Sequence, residues 1–359
     1  MRIAFYAPLK PPDHPVPSGD RQMARSLMAA LRRGGHRVEL ASELRAYLPD
    51  ARDEARFLAL QTAAQAERAR LAALWRENGV PDVWFCYHPY CKSPDMIGPE
   101  LAREFALPWV SAEASLSARR DHGIWRRSQA LVADALAQAA VNFTLTRRDA
   151  EGLRGMLPDL RLAALPAFLD LDDLPPPAPS PNGQLVTVAM MRSGDKMESY
   201  RALSAALRLL PAGTGWQLDV AGDGPMRAEV RALFPAGKVR WHGQLSAQEV
   251  RALFAKASIY VWPGQGEAYG LAYLEAQAAG LPVVAWATAG VPEVVSDGET
   301  GLLAPEGDLA GLAAGIARLL SDRGLRRRMG EAARMRVMDR HGIAAAALIL
   351  NSELQRIAR

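Results

Sequence analysis

The sequence predicts two successive α/β domains, each a doubly wound parallel sheet. Short apolar runs alternate with longer amphipathic stretches along the whole chain. The alternation breaks once, at a proline-rich segment, and then restarts. The length of 359 residues is enough for two cores of ordinary size.

In the first half the predicted strands are RIAFYA from Arg2, HRVELA from His36, DVWFCY from Asp82, PWVSA from Pro108 and VNFTL from Val141. A helix over Asp20–Arg33 follows Ser18-Gly19, carries Met23, Leu27, Ala30 and Leu31 on one face, and stops at Gly34-Gly35. Residues 52–78 form a longer helix ending at Asn78-Gly79. Between Asp170 and Gly183 five prolines remove amide donors and resist helix, which marks an exposed linker. The expected division is therefore an N-terminal domain over 1–170, a linker over 171–184 and a C-terminal domain over 185–335. The strands resume at LVTVAM from Leu185, WQLDVAG from Trp216, VRWHG from Val239, SIYVWPG from Ser258 and PVVAW from Pro282. Two such domains would leave a cleft between them, with ligands outside the carboxyl ends of the strands.

Composition narrows the function. Hydrophobic residues make up 49% of the chain and charged ones 23%, as in a globular protein. No apolar run reaches the length of a membrane span, and the N-terminal run is too short for a signal peptide. A net charge of +4 is not that of a nucleic-acid binder. The segment with Arg119, Arg120, Trp125, Arg126 and Arg127 could rest on anionic headgroups, or be a solvated helix end. With two cysteines, a reducing, cytoplasmic setting is expected, reaching at most the inner membrane face. Cys86, His88 and Cys91 in CYHPYC lack the four ligands of a zinc site, so no metal is expected there.

Four segments of the second half follow strands. In AMMRSGDK, Arg192 and Lys196 suit a diphosphate, which they would neutralise in the bound state and as it departs; otherwise they are solvated loop cations. In AGDGPM, Gly222 and Gly224 let backbone approach a ligand or simply make a strand-to-helix turn. The third glycine of a dinucleotide fingerprint is missing. In GQGEAYGLAYLEAQAAGLPVVA, Glu267 precedes and Glu275 follows a helix start near Gly270. Free amides there form an anion site, flanked by carboxylates that can accept hydrogen bonds from sugar and ribose hydroxyls. The alternative is a surface helix carrying one glutamate every two turns. In TAGVPEVVSDGETGLLAP, Thr288 to Val291 suits a backbone loop near a ligand, while Glu293, Asp297 and Gly298 are turn chemistry.

Arg192…Lys196, Gly222-Asp223-Gly224-Pro225, Glu267-x7-Glu275 and PEVVSDGETGLL together resemble the retaining GT-B glycosyltransferases of the group that includes sucrose-phosphate synthases and lipopolysaccharide glucosyltransferases. The resemblance covers Leu185 to Pro305 and is looser in the first half. It implies a GT-B fold and transfer of a sugar from a nucleotide-sugar donor, UDP-sugar first, to a saccharide, glycolipid or small metabolite. By the same resemblance Arg192 and Lys196 hold the donor diphosphate, Glu267 contacts the transferred sugar and Glu275 the ribose. Backbone amides of Ala268, Tyr269, Gly270 and Leu271 cap the distal phosphate, and the base lies around Trp241 to Gly243, with His242 at its centre. No cofactor or metal is implied, because cations neutralise the diphosphate.

In PVPSGDRQM the family's glycine pair becomes Ser18-Gly19, placing Gly19 near donor and acceptor. Glu113 stands where relatives commonly carry a histidine, and His88 follows the third strand. Either could contact acceptor or sugar, or be structural. The resemblance also implies that the last segment, 336–359, returns to the first domain as a helix. Two further functions share such an architecture. A sugar-nucleotide epimerase would need more acids, bases and histidines around the donor than this chain, with six histidines in all, supplies. A catalytically silent partner would be expected to lose a glutamate or a phosphate cation, and all four are present.

Overall fold

The computed structural model describes residues 1–16, 18–171 and 183–357. It divides into two compact units, Met1–Pro166 with Ile343–Arg359, and Ala167–Gly342. The predicted linker lies, apart from Leu171, Gly183 and Gln184, outside the described residues.

The first unit runs β1 (Arg2–Tyr6), α1 (Gly19–Arg33), β2 (Arg37–Ser42), α2 (Glu54–Asn78), β3 (Val83–Tyr87), α3 (Gly98–Phe105), β4 (Trp109–Ala112), α4 (Gly123–Gln138), β5 (Val141–Thr144), α5 (Arg147–Met156) and β6 (Leu162–Ala164). Its six strands are parallel in the order β2-β1-β3-β4-β5-β6. Strands covered on both faces read as unbroken apolar runs, and every residue of VWFCY in β3 is buried. Helix α1 begins where the Ser18 hydroxyl accepts from the Arg21 amide at 3.3 Å. Asp53 caps α2 in the same way, through the Arg56 amide at 3.0 Å. One buried carboxylate ties the core together. Asp95 accepts the indole N–H groups of Trp84 (2.8 Å) and Trp109 (2.9 Å) on Oδ2, and the amides of Ile97 (3.0 Å) and Gly98 (2.8 Å) on Oδ1. All four donors would otherwise be buried without partners.

The second unit continues β7 (Gln184–Val188), α6 (Asp195–Arg208), β8 (Gln217–Ala221), α7 (Arg227–Ala232), β9 (Val239–Gly243), α8 (Ala247–Phe254), β10 (Ile259–Val261), α9 (Leu271–Ala278), β11 (Val283–Trp286), α10 (Val291–Val294), β12 (Gly301–Ala304), α11 (Leu309–Ser321) and α12 (Arg323–Arg340). Its parallel order is β12-β11-β10-β7-β8-β9. The chain winds outward from β7 through β8 to β9, then restarts on the other side at β10. The topological switch point therefore lies between β7 and β10. The final helix, α13 (Ile343–Ile357), belongs to the first unit and packs on α1. Among the described residues no helix is long and apolar enough to cross a membrane.

The structure adds two strands to those predicted. β6 is a three-residue, partly exposed edge, and β12 forms within GETGLLAP, just after the turn expected at Asp297-Gly298. The turn is real but brief: Asp297 Oδ1 accepts from the Leu303 amide at 2.9 Å, and Gly298 takes φ 75°.

Candidate functional site

At the switch point of the second sheet, β7 and β10 pair only through Ile259 with Leu185 and Tyr260 with Val186, then part. At and beyond their diverging ends, hydroxyls donate to backbone carbonyls. Tyr260 donates to Val188 O (3.3 Å), Tyr200 to Ala189 O (2.8 Å), Tyr273 to Trp262 O (3.0 Å) and Thr187 to Val261 O. The loops leaving these two strand ends carry the predicted site. Arg192 lies in the first, exposed, with no ion pair among the described residues. Lys196 follows on the first turn of α6, and its ammonium is paired with Glu267 Oε1.

Glu267 sits in the loop after β10, between Gly264 and Gly270. Backbone bonds fix it: its amide donates to Gly264 O at 3.1 Å, and its carbonyl accepts from Gly290 N at 3.1 Å. The loop is anchored further by Gln265 N on Ser199 Oγ (3.0 Å) and by Gln265 Nε2 on Glu306 (2.9 Å). Two glycines make the approach possible. A Cβ on Gly290 would lie 1.4 Å from Ala268 O, and one on Gly266 would lie 2.3 Å from the Asp195 carboxylate. The small residues of Thr288-Ala289-Gly290 therefore support the glutamate loop from beneath. The sequence missed Trp262, whose indole N–H donates to Glu267 Oε1 at 3.0 Å. It also missed Asp195 and Glu306. Nothing in a linear pattern marks them, because their partners lie tens of residues away.

Gly270 begins α9 with φ 64°. Among the described residues no backbone bond starts at the amides of Ala268, Gly270 or Leu271. These groups and the positive end of the helix dipole can therefore receive an anion. Tyr269, between them, is buried. Glu275 lies on the second turn, and burial pushes its carboxyl up to about 7, against a smaller downward pull from Arg251. Burial, then the charges of Glu267 and Glu275, holds the Tyr260 phenol well above its ordinary value.

Gly222 and Gly224 serve the packing of one strand-end loop on another. Their Cβ atoms would lie 1.9 Å from Ala189 O and 2.2 Å from Met191 O, and the loops are laced by Ala189 N to Ala221 O and Met191 N to Asp223 O, both 3.0 Å. They bring the Arg192 loop against β8, so the close approach they allow is between two stretches of backbone. His242 is engaged within its sheet: its Nε2 lies 2.7 Å from Asp219 Oδ1, beside the Arg240 guanidinium at 2.9 Å. Gln184 holds the second oxygen of this buried carboxylate at 2.5 Å.

In the first unit the corresponding switch point lies between β1 and β3. Gly19 opens α1, with open space where a side chain would stand. Next to it, Asp20 Oδ1 lies 3.2 Å from His88 Nδ1 at the end of β3. Glu113, at the end of β4, accepts the Tyr87 hydroxyl at 2.8 Å. Both His88 and Glu113 hold φ 58°, an uncommon conformation for residues with side chains. Burial depresses the His88 imidazole, but the charges of Glu113 and Asp20 outweigh it and leave the ring above its usual value. Burial raises the Glu113 carboxyl, against the pull of His88 and Tyr87. Cys86 and Cys91 are buried, unbridged thiols, and among the described residues no cluster of histidine, cysteine and carboxylates suits a metal. In the basic–aromatic segment, Trp125 donates to Leu48 O (2.9 Å), Arg127 pairs with Glu54 (2.8 Å) and Arg126 lies 3.6 Å from Asp121.

Residues 177–336 match the model of the family described as glycosyl transferases group 1. Among curated proteins the chain is similar to an exopolysaccharide phosphotransferase of Streptomyces coelicolor, 36% identical over 48% of this chain and 18% of that protein. It is also similar to a sulfoquinovosyl transferase of Arabidopsis thaliana, 32% identical over 38% of this chain and 27% of that one. The chain thus spans less than a third of the length of either. Solved structures extend the likeness to both units. A sucrose-phosphate synthase from Thermosynechococcus elongatus superposes with a TM-score of 0.77 at 19% identity, covering 99% of this chain and 98% of that one. Anabaena HepE, solved in complex with UDP, gives 0.74 at 14% identity over 99% and 100%. The fold of two parallel six-stranded sheets is GT-B.

Proposed function

We propose that the chain is a retaining glycosyltransferase, moving a sugar from a nucleotide diphosphate donor to a saccharide, glycolipid or small-metabolite acceptor in envelope glycan or glycolipid assembly. The observation that carries this reading is the meeting of Lys196 and Glu267 at one switch point, from loops 71 residues apart. Arg192 and Lys196 neutralise the diphosphate, and the amides from Ala268 to Leu271 receive its distal phosphate. Glu267 accepts hydrogen bonds from the transferred sugar, and Glu275 from the ribose. The base of the donor lies toward the end of β9, around His242. Within the first unit, His88 and Glu113 are the polar groups that could serve an acceptor, and Gly19 leaves open backbone at the same switch point.

In the reaction the bond from the anomeric carbon to the donor phosphate breaks, and a bond to the acceptor oxygen forms on the same face. The acceptor proton passes to the leaving phosphate, whose charge Arg192 and Lys196 stabilise. Glu267 Oε1 already accepts from an ammonium and an indole, which suits a hydrogen-bonding partner better than an attacking nucleophile. These two cations supply the neutralisation that a metal ion provides elsewhere. UDP is the first nucleotide to test, since a protein of the same fold was solved with it. The chain would act in the cytoplasm, with peripheral membrane contact where the acceptor is a lipid.

Thermal unfolding with UDP, GDP, ADP and their sugars tests the donor site. A ligand at 100 times its Kd that binds only the folded chain adds about 2.7 kcal/mol, visible as a clear rise in Tm. Lys196→Ala should keep the fold and lower kcat/KM about 100-fold or more, as removal of one transition-state donor does elsewhere. An unchanged kcat/KM in that variant refutes the diphosphate role.

A further inference from the structure

We infer that Trp262 is a positioning residue for sugar recognition, its indole N–H aiming the Glu267 carboxylate at the transferred sugar. This rests on the proposed role of Glu267. Trp262 directly follows β10 and is 1% exposed. Its ring meets Tyr200 edge-on, with centroids 4.8 Å apart, and its carbonyl is held by the Tyr273 hydroxyl at 3.0 Å. A side chain fixed at both ends offers its N–H in one direction only, and that direction is Glu267 Oε1, at 3.0 Å.

The Lys196 ammonium reaches the same oxygen and also lies 5.6 Å from the centre of the Trp262 ring. Among the described residues no donor reaches Oε2, so Oε1 is the held atom and Oε2 the presented one. The two holders have different fates when a donor binds. A diphosphate competes for the Lys196 cation, whereas it cannot draw away a buried neutral indole. Trp262 therefore keeps Glu267 in place at the moment Lys196 turns to phosphate. A hydrophobic residue of similar size would fill the same space and leave the carboxylate free to rotate about its side-chain bonds.

The test compares UDP with UDP-glucose by titration calorimetry on the full chain, for the parent and Trp262→Phe. Phenylalanine keeps a ring beneath Lys196 and deletes the N–H. A second variant carries 3-benzothienylalanine at position 262, which preserves the bicyclic shape with sulfur in place of the N–H and guards against a folding defect. The expected result is a Kd ratio of UDP-glucose to UDP that rises about 10-fold or more in both variants, with UDP affinity within about twofold of the parent. A ratio unchanged in both variants overturns the inference while leaving the donor site intact. An equal loss for UDP and UDP-glucose in the benzothienyl variant also overturns it, because the N–H would then support the whole site. If the parent binds no UDP, GDP, ADP or sugar derivative, the inference falls together with the proposed function.

Discussion

Glu275→Gln should stabilise the chain in mildly alkaline solution and leave its stability almost unchanged in acid. Burial raises this carboxyl from 4.5 to about 7, so the folded chain holds the proton more tightly than the unfolded one. The associated stability is complete below 4.5 and is lost as the pH climbs through about 7. At about 1.4 kcal/mol per pH unit, the gap amounts to about 3.5 kcal/mol at full burial. Glu275 is only partly covered, and water reaching the carboxylate halves this to about 1.7 kcal/mol. Glutamine keeps the shape of the protonated acid and cannot ionise. Its Tm should exceed that of the parent by about 3–6 °C at pH 8.5, and by less than about 1 °C at pH 4.5. Differential scanning fluorimetry at several pH values between these limits measures both. A difference that is independent of pH, or that grows toward acid, would show that burial does not set the titration of this group.

Two other substitutions probe the frame of the site and the core. Gly290→Ala must displace the Glu267 loop, because its Cβ would stand 1.4 Å from Ala268 O; we expect a cost of about 1–3 kcal/mol and a loss of donor binding in the same Tm assay. Asp95→Ala leaves the two indoles and two amides it serves without an acceptor, and urea unfolding should show a loss of about 3 kcal/mol or more.

What the sequence made legible follows from how each element is buried. Strands such as VWFCY and VVAW lie between two layers, so they appear as apolar runs that no other element imitates. LAA in β6 and GLLA in β12 are short edges with mixed exposure, and nothing in their composition separates them from loop. The spacing of Glu267, Gly270 and Glu275 was readable because it is local to one loop and one helix. The Lys196–Glu267 pair was not, since its partners come from separate crossovers and meet only through sheet order. Pairwise partners decided the remaining roles. His242 is held by Asp219 from the neighbouring strand, and Gly222 and Gly224 answer to the carbonyls of Ala189 and Met191. None of these partners leaves a mark at its counterpart's position in the chain.

The hydroxyls of Thr187, Tyr200, Tyr260 and Tyr273 at the parted ends of β7 and β10 have an electrical consequence. Bare carbonyl dipoles at a strand terminus present their negative ends to whatever approaches, and would repel a diphosphate. Here four of them are quenched before any ligand arrives. Burial holds all three phenols above their ordinary value, so they remain donors at neutral pH. An entering anion therefore meets the amides at the start of α9 and the ammonium of Lys196, which it must share with or draw away from Glu267, and no bare strand-end carbonyl among these four. The polarity this switch point offers a ligand is set by the interior of the second unit as it folds.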